Sequence, residues 1–192
     1  GINISMKLPG LYPAAWLVSM GCAIAVTLPV PDPDDGAISL PRGFRALVVA
    51  DNLVVGRKTG NNPEKLRFIA VAPNGDIYAK LQFGGIIAMR DTDGDGRMDV
   101  IKEFGPNEGG TQIMFHEGWL YHSSNTTVYR YRYTPGELVP SSELQMVVRD
   151  LPAEDGHAAK VFSFDDQGRL LVEVGAPYNV YSDGGNVLGA KG

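Results

Sequence analysis

Three segments of this chain repeat one plan: an apolar run, a short polar turn carrying a glycine, and a second apolar run. They are LRFIAVAPNGDIYAKL (66–81), TQIMFHEGWLYHSS (111–124) and KVFSFDDQGRLLVEVG (160–175). Their turn glycines are Gly75, Gly118 and Gly168, so the second follows the first by 43 residues and the third follows by a further 50. Strands near each glycine turn predict hairpins. Between them lie more strand-like stretches, FRALVVA (44–50), GIIAMRDTDGDGRMDVIKEF (85–104) and TTVYRYRY (126–133), and no segment after Gly43 has a helical period. A repeat of about 40–50 residues with four strands per unit is the pattern of β-propeller blades. A compact all-β sandwich built from the same strands stays open on this reading. Propellers close with roughly four to eight blades. About three are legible here, so the sequence predicts an all-β chain that is the N-terminal part of a longer propeller protein.

Composition narrows the partners. Asp and Glu outnumber Lys and Arg by 22 to 17, a net charge of −5, which argues against a nucleic-acid or anionic-membrane surface. Cys22 is the one cysteine, so neither an intrachain disulfide nor a cysteine zinc site is available. The segment MKLPGLYPAAWLVSMGCAIAV (6–26) has a lysine, an apolar middle and the small-residue exit Ala23-Ile24-Ala25. That layout predicts a signal-peptide-like segment over 1–26 and a periplasmic or secreted protein. Lipoprotein processing at Gly21-Cys22, leaving an N-terminal anchor, and a buried apolar element are the alternatives. TLPVPDPDDG (27–36) is proline-rich, which predicts an extended linker over 27–39 and a partial propeller domain over 40–192.

Five ordered segments carry a resemblance: LPRGFRALVVADNL (40–53), LRFIAVAPNGDIYAKL (66–81), IIAMRDTDGDGRMDVIKEFG (86–105), GGTQIMFHEGWLYHSSNTTVYRYRY (109–133) and LPAEDGHAAKVFSFDDQGRLLVEVGAPYN (151–179). In order and spacing they resemble the soluble quinoprotein glucose and L-sorbosone dehydrogenases. The resemblance implies a six-bladed β-propeller holding pyrroloquinoline quinone (PQQ) with calcium at one end of its channel. It implies oxidation of a sugar or sugar aldehyde, with electrons passed on to an acceptor such as a cytochrome or a quinone. His157, in Asp155-Gly156-His157, matches the general base, and Gly156, Lys160 and Asn179 match positions beside the cofactor. Where the family has Thr-Arg after the histidine, this chain has Ala159-Lys160. A histidine suits the chemistry, because oxidising a carbinol needs a base that is neutral near pH 7 as hydride leaves. By residue type alone, a lone loop histidine is ordinarily a solvated one. The same scaffold without catalysis, binding carbohydrate or protein, and an inactive fragment are the rival readings.

Asp91, Asp93 and Asp95, with Gly96 and Asp99, have the one-three-five spacing of a calcium loop. Position twelve is Lys102 instead of a bidentate glutamate, so an acidic turn without metal stands beside the calcium reading. His116 and His122 flank the hairpin HEGWLYH and are expected as surface polar residues. VYRYRY (128–133) is expected as a strand with one buried and one exposed face.

Overall fold

A computed structural model describes residues 28–153 and 158–175. Among them the chain is all-β, with a single short 3₁₀ turn at Asp35–Ala37 and no α-helix. No helix of the described residues is long and apolar enough to cross a membrane. A two-stranded ribbon, β1 (Lys58–Thr59) and β2 (Asn62–Pro63), precedes the first sheet. That sheet is a four-stranded antiparallel meander of β3 (Leu66–Val71), β4 (Ile77–Leu81), β5 (Ile86–Arg90) and β6 (Val100–Phe104). The second repeats the plan with β7 (Ile113–His116), β8 (Trp119–Ser123), β9 (Val128–Arg132) and β10 (Gln145–Val148). A hairpin of β11 (Lys160–Phe164) and β12 (Leu170–Val174) follows.

The three turn glycines explain the repeat. Gly75, Gly118 and Gly168 all have φ near +73 to +92°, a left-handed conformation that costs glycine little and other residues more. Each therefore reverses the chain at the same place in its unit, between the first two strands.

Strand alternation then sorts the side chains between layers. Tyr78 on β4 and Ile86 and Ala88 on β5 face the second sheet, where they meet Ile113 and Leu120. Ala79, Leu81, Ile87 and Met89 point the other way, against Ala50, Leu53 and Val54. Tyr121 and Val128 leave the second sheet on its far side and meet Phe162, Phe164 and Val172 of the β11–β12 hairpin. The first strands of the two sheets, β3 and β7, are neighbours. The architecture is a face-to-face stack: residues 46–54, first sheet, second sheet, hairpin.

FRALVVA (44–50), expected as a strand, pairs in no sheet. It is a cover layer. Met98 N–H donates to Val49 O at 2.8 Å, and Arg97 donates to Val48 O at 2.8 Å and pairs with Asp32. Residues 28–39, expected as a linker, run beside it. Asp32 accepts from Val48 N–H at 2.7 Å, and Asp35 from Ala46 N–H at 2.9 Å and from Arg45 at 2.7 Å. The cover does not reach β3, whose Ile69 and Val71 remain 63% and 58% exposed.

Candidate functional site

The first strands of the second and third units are each entered by a small-residue segment: Gly109-Gly110 leads to β7 and Ala158-Ala159 to β11. The two segments meet at a pocket of about 250 Å³. Arg67 of β3, Gln82, Phe83 and Thr111 complete most of its wall, and none of the described residues that line it carries a carboxylate. The approach at Gly110 requires glycine, since a Cβ there would collide with the Ser123 carbonyl. Ser123 ties the units together. Its hydroxyl accepts from Gln112 N–H at 3.0 Å and donates to Lys160 O at 2.7 Å, joining β8 to β11.

Two buried amines stand behind this wall. Lys80 passes under Gly110 and donates to Gly85 O and Glu108 O, each at 3.1 Å. Burial pushes its pKa down to about 8, against the pull of Glu64 and Glu108. Lys160 is fully buried and donates to Ala158 O at 2.7 Å, and burial lowers its pKa too. Its amine turns back onto the backbone, so Lys160 sits behind the pocket instead of lining it. Of the other residues expected at the cofactor, Gly156, His157 and Asn179 lie outside the described residues. His157 immediately precedes Ala158 of the pocket wall in the chain.

The sequence reading missed Arg67, Lys80 and the Gly109-Gly110 segment. The signals were present: a lysine inside the apolar strand IYAKL, and a Gly-Gly pair shortly before β7 as Asp155-Gly156 stands shortly before β11. His122, expected at the surface, is 1% exposed between the two sheets. Its ring stacks on Tyr129 and Tyr131 at 5.3 and 5.8 Å. Burial, helped by the Lys80 charge, pushes its pKa down to about 3. The second sheet is covered on both faces, so strand alternation left it no polar side. His116, by contrast, is half-buried and stacks on Phe164 at 3.7 Å.

The acidic loop is real but distant. Ligand oxygens of Asp91, Asp93 and Asp99 lie within 4.8 Å of one another, and Asp95 is not in the group. The loop joins the end of β5 to the start of β6, whereas the pocket lies at the start of β3, so the two are at opposite ends of the first sheet. The carboxylates have an internal task. Asp91 accepts from Gly96 N–H at 2.8 Å, Gly94 N–H at 2.7 Å and Asp93 N–H at 3.2 Å, and these bonds hold its pKa below the usual carboxylate range. The loop so formed presents Arg97 and Met98 to residues 48–49. Asp91→Ala is therefore expected to free the cover layer. Limited proteolysis should cut near 44–50 on the order of tenfold faster than in the wild type, because cleavage follows the opened population once those bonds are gone.

No family model and no curated protein matches the chain. Matching solved structures include a calcium structure and an iodide structure of a Trichoderma reesei carbohydrate-active enzyme of family AA12. Each is 16% identical with a TM-score of 0.48, and the match covers 59% of this chain and 30% of that one. The chain thus matches less than a third of the length of those structures.

Proposed function

We propose that this chain forms successive blades of a β-propeller and supplies part of a PQQ pocket in an enzyme that oxidises a sugar or sugar aldehyde. The observation that carries this reading is the pocket where the lead-ins to β7 and β11 meet, with Arg67 on its wall and no carboxylate among the described residues that line it. PQQ is a planar tricarboxylate. A guanidinium binds carboxylates as a two-pronged donor. Gln82 and Thr111 add polar groups, Phe83 offers a ring face, and the Gly109-Gly110 and Ala158-Ala159 segments leave room for a flat ligand. Lys80 and Lys160 behind the wall add positive charge. When bound, the quinone supplies the hydride acceptor. His157, next to the wall in sequence, takes the substrate hydroxyl proton in this reading, and Gly156 and Asn179 stand beside the cofactor. A cation at Asp91, Asp93 and Asp99 would lie at the opposite end and has no part in the step.

The propeller reading is supported by the stack itself, in which, among the described residues, each sheet packs on its sequence neighbours. A second reading, a non-catalytic scaffold that binds carbohydrate or protein, is favoured by the turned-back amine of Lys160. Titration of the purified chain with PQQ, followed by cofactor absorbance, separates the two. Saturable binding that weakens on the order of tenfold in Arg67→Ala is expected, the loss of one charge-assisted contact. His157→Ala should bind PQQ and lose sugar-dependent reduction. A folded wild-type chain that binds no PQQ would leave the scaffold reading.

A further inference from the structure

A larger cavity, of about 700 Å³, opens at the same end of the first sheet, between the β1–β2 ribbon, the β4–β5 turn and the exit of β6. Its wall holds two cations, Arg57 and Lys58, and two carboxylates, Glu64 and Glu103, so its formal charges cancel. They are spread around the wall and only partly committed to each other. Arg57 Nη2 donates to Glu103 Oε2 at 2.5 Å. The other terminal guanidinium nitrogen, Nη1, is shut off from solvent and has no hydrogen-bond partner among the described residues. Glu64 uses one oxygen, Oε1, to accept from Lys65 N–H at 2.9 Å and Phe83 N–H at 3.1 Å, so one carboxylate oxygen holds the β4–β5 turn at the cavity's edge. Asn107 adds an amide and Phe83 an aromatic ring.

We propose that this cavity binds a neutral saccharide. An anion placed here would meet Glu64 and Glu103, and a cation would meet Arg57 and Lys58. Either would also lose its hydration shell without a matching net charge. An apolar ligand would strip water from these four charged groups and return no hydrogen bond to any of them. A ligand with adjacent hydroxyls avoids each cost, because every hydroxyl both donates and accepts. Hydroxyls can donate to Glu103 and accept from Lys58, both on the wall, and the C–H face of a sugar ring can lie on Phe83. The cavity is of the size that small-molecule sites have, roughly 300–1,000 Å³. The site shares Phe83 with the cofactor pocket but none of its other wall residues, and a failure of PQQ binding would leave it standing.

Chemical-shift titration of the full chain with glucose, cellobiose and maltose tests this, with citrate and spermidine as charged probes. The expected result is a saturable set of shifts confined to residues 56–59, 83–85 and 103–107 with at least one saccharide. Glu103→Gln should weaken that binding on the order of tenfold, the effect of losing a charged hydrogen-bond partner. Lys58→Ala, at an exposed position in the ribbon, should weaken it as well and keeps the test decisive if Glu103→Gln fails to fold. Saccharides that leave these residues unmoved, tighter binding of citrate or spermidine at the same residues, or saccharide affinity unchanged in the folded variants would each overturn the proposal.

Discussion

Tyr78→Ala is expected to destabilise the chain by about 3–5 kcal/mol, the range for deleting a large buried aromatic side chain. Tyr78 is fully buried at the centre of the contact between the first two sheets. Its ring meets Phe115 and Phe104 edge-on, with centroids 5.4 and 6.2 Å away. Its hydroxyl donates to Leu138 O at 2.9 Å, which ties in the loop between β9 and β10. Burial pushes that hydroxyl's pKa up, so it stays protonated and a donor at any ordinary pH. Tyr78→Phe keeps the ring and loses one hydrogen bond, and is expected to cost ~1 kcal/mol. Urea denaturation of the three proteins gives both differences. A small domain has only 5–15 kcal/mol in total, so the alanine variant should unfold in mild urea if it folds at all. An alanine variant within ~1 kcal/mol of wild type would mean the two sheets are not held through this residue.

The second large effect is a loss of stability in acid that traces to one imidazole. In the fold His122 stays neutral until pH falls to about 3, because protonating it would bury a charge beside Lys80. In the unfolded chain it takes up its proton near 6.5. The unfolded state therefore binds more protons between these values. Stability from this group is complete above pH 6.5 and is lost as pH falls toward 3. At ~1.4 kcal/mol per pH unit, the wild type should lose about 3 kcal/mol from His122 alone by about pH 4. His122→Phe keeps a ring between Tyr129 and Tyr131 and removes the titration. Its stability should fall less between pH 7 and pH 4, by roughly that amount, in parallel urea melts. Parallel losses in the two proteins would place His122 in contact with solvent.

The parts of this fold that were legible in the sequence are those set by local chemistry. A left-handed glycine in a short polar turn between two apolar runs marks a hairpin at Gly75, Gly118 and Gly168. The acidic loop was also visible, because carboxylates two residues apart in a Gly-rich run can fold back onto their own backbone. What escaped was set by contacts between layers. FRALVVA (44–50) has strand composition but covers the first sheet through side chains and a few hydrogen bonds. β10 went unread because its apolar run, Met146-Val147-Val148, is short, its residues are largely exposed and its pairing with β9 is irregular. The burial of Lys80 and His122 follows from a sheet packed on both faces, and no window along one strand reports that. Of the candidate site, the sequence found the lead-in to β11 through His157, but Arg67 is on β3, and only the stacking of units brings the two segments together.

Hydrogen–deuterium exchange of the full chain with and without saturating PQQ tests the central claim most directly. If the cofactor sits where the lead-ins to β7 and β11 meet, amides of residues 109–111 and 158–160 should gain protection, while the loop at 91–99 stays unchanged. Bound PQQ that leaves 109–111 and 158–160 unprotected, or that protects only residues elsewhere, would contradict it.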